Sequence, residues 1–247
     1  VTVALLVVGT SGWQYRSWRD RFYPPRLPSR RWLEHYSGQF RTVELNTTFY
    51  GLPAVDTAKR WAEQVPDGFR FAAKMSRYLT HTRRLQDPEG PVSLLFERLA
   101  PLGPRLGPVL FQLPPDLAAA PALLDAALAA CPPGTPLAVE PRHPSWWSDE
   151  VRDVLTRHHA ALCVADRRSQ LRTPLWRTAG WGYVRLHEGL AHPRPCYGDD
   201  ALRAWAQRID ATWGRDEEVY VFFNNDAEAC APRNAARLAE VAVLVHR

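Results

Sequence analysis

The sequence predicts an α/β fold of the TIM type, a (β/α)8 barrel. Three observations carry this. Eight short apolar runs, each of strand length and bounded by turn residues, recur along the chain. Amphipathic stretches separate them, and eight such units fit a barrel of 247 residues. Several of the runs are continuous rather than alternating, as in a parallel sheet buried on both faces.

The runs are Leu5–Gly9, Thr42–Asn46, Arg70–Lys74, Pro108–Gln112, Pro136–Glu140, Leu162–Asp166, Gly182–His187 and Val219–Phe223. The first begins in VTVALLVVGTSGW, which is too short to span a bilayer and has no basic leader region. Ser29–Gln39 spaces Trp32, Leu33 and Tyr36 as a helix does, with Ser29 as expected N-cap. Helices are likewise expected over Val55–Gln64, Val92–Leu102, Ala122–Ala130 and Ser148–His158. Asp199–Trp213 gathers Leu202, Trp205, Ala206 and Ile209 on one face. Pro232–Val245 is expected to close the chain as a helix, with proline in its first turn. The sixth unit is incomplete or irregular: Arg167–Trp181 has Pro174 at its middle and room for a loop or single turn only. No repeat or linker appears, so residues 1–247 are expected to form a single domain.

Composition is that of an ordinary globular chain, 46% hydrophobic and 23% charged. A chain of this size buries roughly 75% of its unfolded surface and needs no staples. Net charge is +5, carried largely by arginine, too scattered to be a nucleic-acid footprint by itself. Ten tryptophans imply aromatic plugs or the walls of a site. Cys131, Cys163, Cys196 and Cys230 are far apart and form no CxxC pair. They are expected to be free thiols, with Cys163 a small buried hydrophobe, which fits a reducing cytoplasm.

Barrel enzymes place their chemistry where strands end at their carboxyl edge. All eight ends here are polar. They carry Thr10 and Ser11; Glu44, Asn46 and Tyr50; Lys74 and His81; Gln112; Glu140, Arg142 and His143; Asp166; Arg185 and His187; and Asn224, Asn225 and Asp226. Buried polar groups are costly unless paired, so this collection points to a pocket. Carboxylates beside cations shift each other's pKa, which suits acid–base work, and His187 can move protons near neutral pH. GTSGW (9–13) is either a turn that aims backbone N–H groups at an anion or one that seats Trp13; it has no Walker or Rossmann spacing. His187, Glu140, Asp166 and Asp226 are types that suit a divalent metal, but no HxH or HExxH pair is present and Lys74, Arg142 and Arg185 compete for the carboxylates.

Taken together, GTSGWQYRSWRDRFYP (9–24), VELNTTFYGLP (43–53), FRFAAKMSRYLTH (69–81), LGPVLFQLPP (106–115), AVEPRHPSWW (138–147), YVRLHEG (183–189) and YVFFNNDAEACAPRNAARL (220–238) resemble the YecE-like family, domain of unknown function 72. The resemblance runs the length of the chain. It implies a TIM-type barrel, and a polar pocket at Asn46, Tyr50, Lys74, His81, Gln112, Glu140, Arg142, His143, Asp166, Arg185, His187, Asn225 and Asp226. It implies no reaction. His187-Glu188-Gly189 departs from the His-Gly expected there, so the loop that follows is expected to differ. A looser, fold-level likeness is to endonuclease IV-type and xylose isomerase-type barrels.

The expected function is a metal-independent hydrolase, lyase or isomerase acting on a small polar or anionic, phosphorylated or sugar-like compound. Lys74, Arg142 and Arg185 hold the anion; Glu140 and His187 exchange protons; Asp166 orients one of them. No cofactor is favoured and a divalent metal is left open. The alternatives are a nucleic-acid binder or nuclease, prompted by Arg167, Arg168, Arg172, Arg177, Trp176 and Trp181, and a non-catalytic ligand-binding protein. A cytoplasmic location is expected, with no membrane span; the oligomeric state is left open.

Overall fold

The computed structural model describes residues 4–214 and 216–244. It contains strands β1 (Leu5–Ser11), β2 (Thr42–Leu45), β3 (Arg70–Lys74), β4 (Leu106–Gln112), β5 (Leu137–Glu140), β6 (Ala161–Arg167), β7 (Gln170–Leu171), β8 (Gly182–Leu186) and β9 (Glu218–Phe223). The helices are α1 (Trp32–Ser37), α2 (Thr47–Tyr50), α3 (Val55–Glu63), α4 (Glu89–Leu99), α5 (Pro121–Ala129), α6 (Asp149–Arg157), α7 (Asp199–Thr212) and α8 (Cys230–Leu244). The strand order is β5-β4-β3-β2-β1-β9-β8-β6-β7, and β5 also pairs with β6. Without β7, the strands thus close on themselves in the connectivity of a (β/α)8 barrel. The eight expected strands are all present, each within about two residues of its expected bounds.

The irregular sixth unit has a specific form. β7 folds back antiparallel on the end of β6, pairing Asp166 with Leu171 and Arg167 with Gln170, and no helix follows before β8. Pro174 and the left-handed Arg168 and Ser169 make a helix there unfavourable. Ser29 does not cap α1. It lies inside a 3-10 turn, Ser29–Arg31, that leads into the helix, so the chain is already wound when α1 begins. Val245, the expected end of the last helix, lies outside the described residues.

The chain packs as two compact units, Val1–Glu44 with Val164–Arg247, and Leu45–Cys163. In the first, β1 pairs in parallel with β2 and β9, and β8 with β9. Gly9 is required there: a Cβ would lie 2.2 Å from the Thr42 carbonyl oxygen of the neighbouring strand. Most of the early aromatic residues act as plugs. Tyr23 stacks on Trp32 with centroids 4.5 Å apart, Trp18 is fully buried, and Tyr36 donates its hydroxyl to Thr42 O at 3.0 Å. In the second unit β4 pairs with β3 and β5 over a core that includes Phe69, Phe71, Leu95, Leu99 and Phe111. α6 is capped as its sequence predicts: the Ser148 hydroxyl accepts the Val151 N–H, and Asp149 and Glu150 occupy the first turn, where the helix dipole favours negative charge.

The cysteines depart from expectation. Cys196 and Cys230 form a disulfide across 34 residues, while Cys131 and Cys163 are free and buried. Their spacing in sequence carries no disulfide signature because the fold, not local chain geometry, brings them together. Among the described residues, no helix is long and apolar enough to cross a membrane.

Candidate functional site

The second unit gathers cations. β3 ends at Lys74, whose backbone is fixed by the Thr48 hydroxyl: it accepts the Lys74 N–H at 3.2 Å and donates to Lys74 O at 2.7 Å. The ammonium lies 3.9 Å from the centroid of Phe49, a cation–π contact. His81 meets the same ring edge-to-face at 5.0 Å. It stands on a π-helical turn, Tyr78–Thr82, a local widening that often marks functional segments. Thr80 gives its one hydroxyl proton to Ser76 O, so the 2.9 Å contact with His81 must be donated by Nδ1–H. The lone pair of His81 is therefore on Nε2. Burial first, then the charges of Lys74, Arg77 and Arg142, push this imidazole down from 6.5 to about 4.

β5 ends at buried Glu140, opposite Gln112 in register. Arg142 closes on one of its oxygens, Oε1, from Nε at 3.0 Å and Nη2 at 2.9 Å. The corner is stiffened by Pro141 and Pro144. His143 serves it too, accepting the Ser145 N–H on Nδ1 at 3.2 Å and so capping the turn Pro144–Trp146. Trp146 is buried and donates to Leu117 O at 2.7 Å. Asn46 precedes α2 and Tyr50 is its last residue, largely in solvent.

The first unit holds two buried constellations. Arg185 and Glu44, both essentially inaccessible, form a two-pronged pair: Nε to Oε2 at 3.0 Å and Nη2 to Oε1 at 2.8 Å. Tyr183 donates its hydroxyl to Glu44 Oε2 at 2.8 Å. Arg185 is thus matched by a carboxylate of the same unit. The second constellation centres on Asp166. Its Oδ1 accepts the Tyr197 hydroxyl and, at 3.2 Å, the backbone N–H of His187; its Oδ2 accepts Trp205 Nε1 at 3.2 Å. Burial raises this carboxyl to about 6, against the hydrogen bonds that lower it.

Asp166 meets His187 at its backbone N–H. The imidazole itself is set by Asn224, whose Nδ2 lies 3.0 Å from His187 Nδ1. An amide nitrogen only donates, so Nδ1 accepts and Nε2 carries the proton in the neutral ring. Asn225 donates to Pro195 O and Asn234 Oδ1, each at 3.0 Å. Its own Oδ1 is buried and has no donor among the described residues. Asp226 is half-buried, and burial raises its carboxyl.

Several assignments take a definite form here. GTSGW is a turn that seats Trp13: Thr10 Oγ1 donates to Gly12 O at 2.7 Å, and Trp13 is buried. Three arginines of the loop have carboxylate partners, Arg167 and Arg168 sharing Glu188 and Arg177 meeting Glu217. Trp176 and Trp181 are half-buried rather than exposed, and Trp181 packs edge-on against Tyr183 and Tyr220. No three His, Cys, Asp or Glu side chains among the described residues gather closely enough to hold a metal. The sequence does not mark Tyr197, Asn234 and Arg77 as site residues, and it marks Trp205 only as part of a helix face. Tyr197, Trp205 and Asn234 lie beyond the strand ends, and Arg77 is one arginine among many.

The comparisons with known proteins agree with this architecture. The chain is 34% identical over 110 residues to the UPF0759 protein YecE of Escherichia coli K12, a stretch covering 44% of this chain and 38% of that protein. It is 30% identical over 117 residues to the UPF0759 protein YunF of Bacillus subtilis, covering 45% and 40%. The matched stretches therefore span about two fifths of the length of these relatives. A DUF72 family protein of Thermotoga maritima superposes with a TM-score of 0.83 at 25% identity, over 98% of this chain and 100% of that one. SacUVDE shares the fold alone, with a TM-score of 0.60 at 8% identity over 98% and 99% of the two chains. The model described as "Protein of unknown function DUF72" matches residues 7–246. The chain belongs to the DUF72 family.

Proposed function

We propose that this protein is an enzyme that binds a small anionic substrate and acts on it by acid–base chemistry without a metal. One observation carries the reading: Lys74 and His81 meet on the ring of Phe49, at 3.9 and 5.0 Å, with the charges of Arg77 and Arg142 also acting on His81. Three cations around one imidazole, of which Arg142 is paired with Glu140, give a positive local field that favours an anion. Arrival of an anion offsets these charges and raises the pKa of His81, which favours a proton at Nε2 that can be donated to it. Gln112, Asn46 and Tyr50 are the polar neighbours proposed to help hold the substrate, with His143 supporting the corner that carries Arg142.

Glu140 is the proposed proton-exchanging group of this unit, with Arg142 paired to its Oε1. His187 is proposed as a second such group. Its neutral ring carries the proton on Nε2, and Asp166 accepts its backbone N–H. Asn225 and Asp226 are proposed ligand contacts; the undonated Asn225 Oδ1 supports this, since an unmet buried acceptor costs about 1–3 kcal/mol. Arg185 is assigned to anion binding only through the substrate's effect on its pair with Glu44. The whole chain is proposed to act as one domain. A cytoplasmic location is also proposed, and the Cys196–Cys230 disulfide counts against it, since cytosolic disulfides are uncommon outside redox roles.

Inorganic phosphate is the probe. Calorimetry should detect its binding, and the His81 imidazole, followed by NMR, should titrate at higher pH when phosphate is present. Arg142→Ala should weaken binding at least tenfold. Glu140→Gln should retain binding and lose turnover once a substrate is in hand. A His81 titration unmoved by saturating phosphate would overturn the reading. Binding without turnover on any phosphate ester would leave a ligand-binding protein, not an enzyme.

A further inference from the structure

Beside the cation cluster, and within the same unit, is a pocket of about 410 Å³. This is within the range of small-molecule sites. Its lining includes Phe49, Tyr50, Ser76, Arg77, Tyr78 and Leu94. Two features tie it to the cluster. Phe49 is a wall of the pocket and is also the ring on which Lys74 and His81 rest. Arg77 lines the pocket and acts on His81.

Its aromatic residues are unusual in their exposure. Tyr50 is 81% exposed and Tyr78 55%, although the rings of a folded chain normally bury most of their surface. Leu94, 41% exposed, adds an apolar patch on the same lining. The hydroxyls of Ser76 and Thr82 are on the lining as well. The pocket thus offers flat aromatic faces, a few hydroxyls, and an arginine on the side of the cations.

We propose that this pocket takes the base of a nucleoside monophosphate, with Tyr50 and Tyr78 stacking on the ring and the phosphate reaching Arg77, Lys74 and Arg142. The inference rests on the anion-binding reading above and names the substrate class for it. A planar heteroaromatic ring gains from both tyrosine faces, whereas a sugar phosphate leaves them in water. A free mononucleotide is favoured over a strand because the basic residues do not continue as a track. Arg83 is paired with Asp87, and Arg84 with Asp116 at 2.9 Å. A polymer needs successive unneutralised cations along its backbone.

The test is a calorimetric titration of the intact chain with AMP, ribose 5-phosphate, adenosine, inorganic phosphate and an eight-nucleotide single strand. AMP should bind at least tenfold tighter than ribose 5-phosphate or phosphate. Tyr50→Ala and Tyr78→Ala alter exposed side chains, so the fold should persist. Each should weaken AMP by about tenfold, the scale of base–aromatic stacking, and Tyr78→Ala should leave phosphate binding unchanged. Ribose 5-phosphate binding as tightly as AMP would overturn the inference while sparing the anion site. So would AMP binding indifferent to both tyrosine substitutions, or tighter binding of the strand than of AMP. Adenosine binding equal to AMP, with no phosphate binding, would overturn the anion reading and with it the joined ligand.

Discussion

Asp166 and His81 each sit where burial opposes their charge, and they tilt stability in opposite directions as pH changes. Asp166 is raised from 3.8 to about 6. Between those values the native carboxyl keeps a proton that the unfolded chain has lost. Its contribution is therefore present at low pH and lost as pH rises through about 6. His81 is lowered from 6.5 to about 4. In that window the unfolded chain holds a proton the native ring lacks, so its contribution grows as pH rises and is complete above 6.5. The two slopes oppose each other between pH 4 and 6. Urea midpoints measured across this window should separate them. His81→Asn should leave a profile that falls more with rising pH than the parent's, and Asp166→Asn one that rises more. Profiles parallel to the parent's in both variants would refute the assignment.

The segment after β8 shows how an element is held in place. Gly189 N–H donates to Pro195 O at 2.9 Å, and a Cβ on Gly189 would lie 2.1 Å from Cys196 O, so this turn requires glycine. Glu188, the departure from the family pattern, pairs with Arg167 and Arg168, and its N–H donates to the Tyr197 hydroxyl at 3.0 Å. Asn234 on α8 accepts the Tyr197 N–H and donates to Tyr197 O, both at 2.9 Å. The Cys196–Cys230 disulfide ties the same segment to the start of α8. Closing a loop of this length restricts the unfolded chain and should be worth about 3–4 kcal/mol. Denatured, unreduced protein should titrate as two thiols and reduced protein as four. Reduction should lower the stability to urea by that amount. Four thiols without reductant would show that the bridge does not form.

For the whole molecule, the question is whether the two compact units unfold together. The strand ladder includes β5–β6, which links 138 to 161 and 139 to 162, and its order returns to its start. Apart from the two-residue β7, the order has no free end, so no other strand has an independent point of opening. We therefore expect one cooperative transition, with tryptophan fluorescence and far-ultraviolet circular dichroism superimposed through the urea range. Two separated transitions would contradict the single-domain expectation and divide the chain near Glu44 and Val164.

The barrel was legible in the sequence because its signals are local. Continuous apolar runs such as Val219–Phe223 mark strands buried on both sides, and Ser148 before Asp149-Glu150 marks a helix start. Polar residues at the strand ends follow from the same reading, and Glu140 with Arg142, two residues apart, is a pairing that spacing alone suggests. What the sequence could not show was which distant groups satisfy one another. Arg185 meets Glu44 across 141 positions, Asp166 meets Trp205 across 39, and His187 meets Asn224 across 37. The disulfide of Cys196 and Cys230 belongs with them. Strand and helix identity depend on the order of neighbours along the chain. Charge, tautomer and sulfur pairing depend on neighbours in space, and only the tertiary structure supplies those.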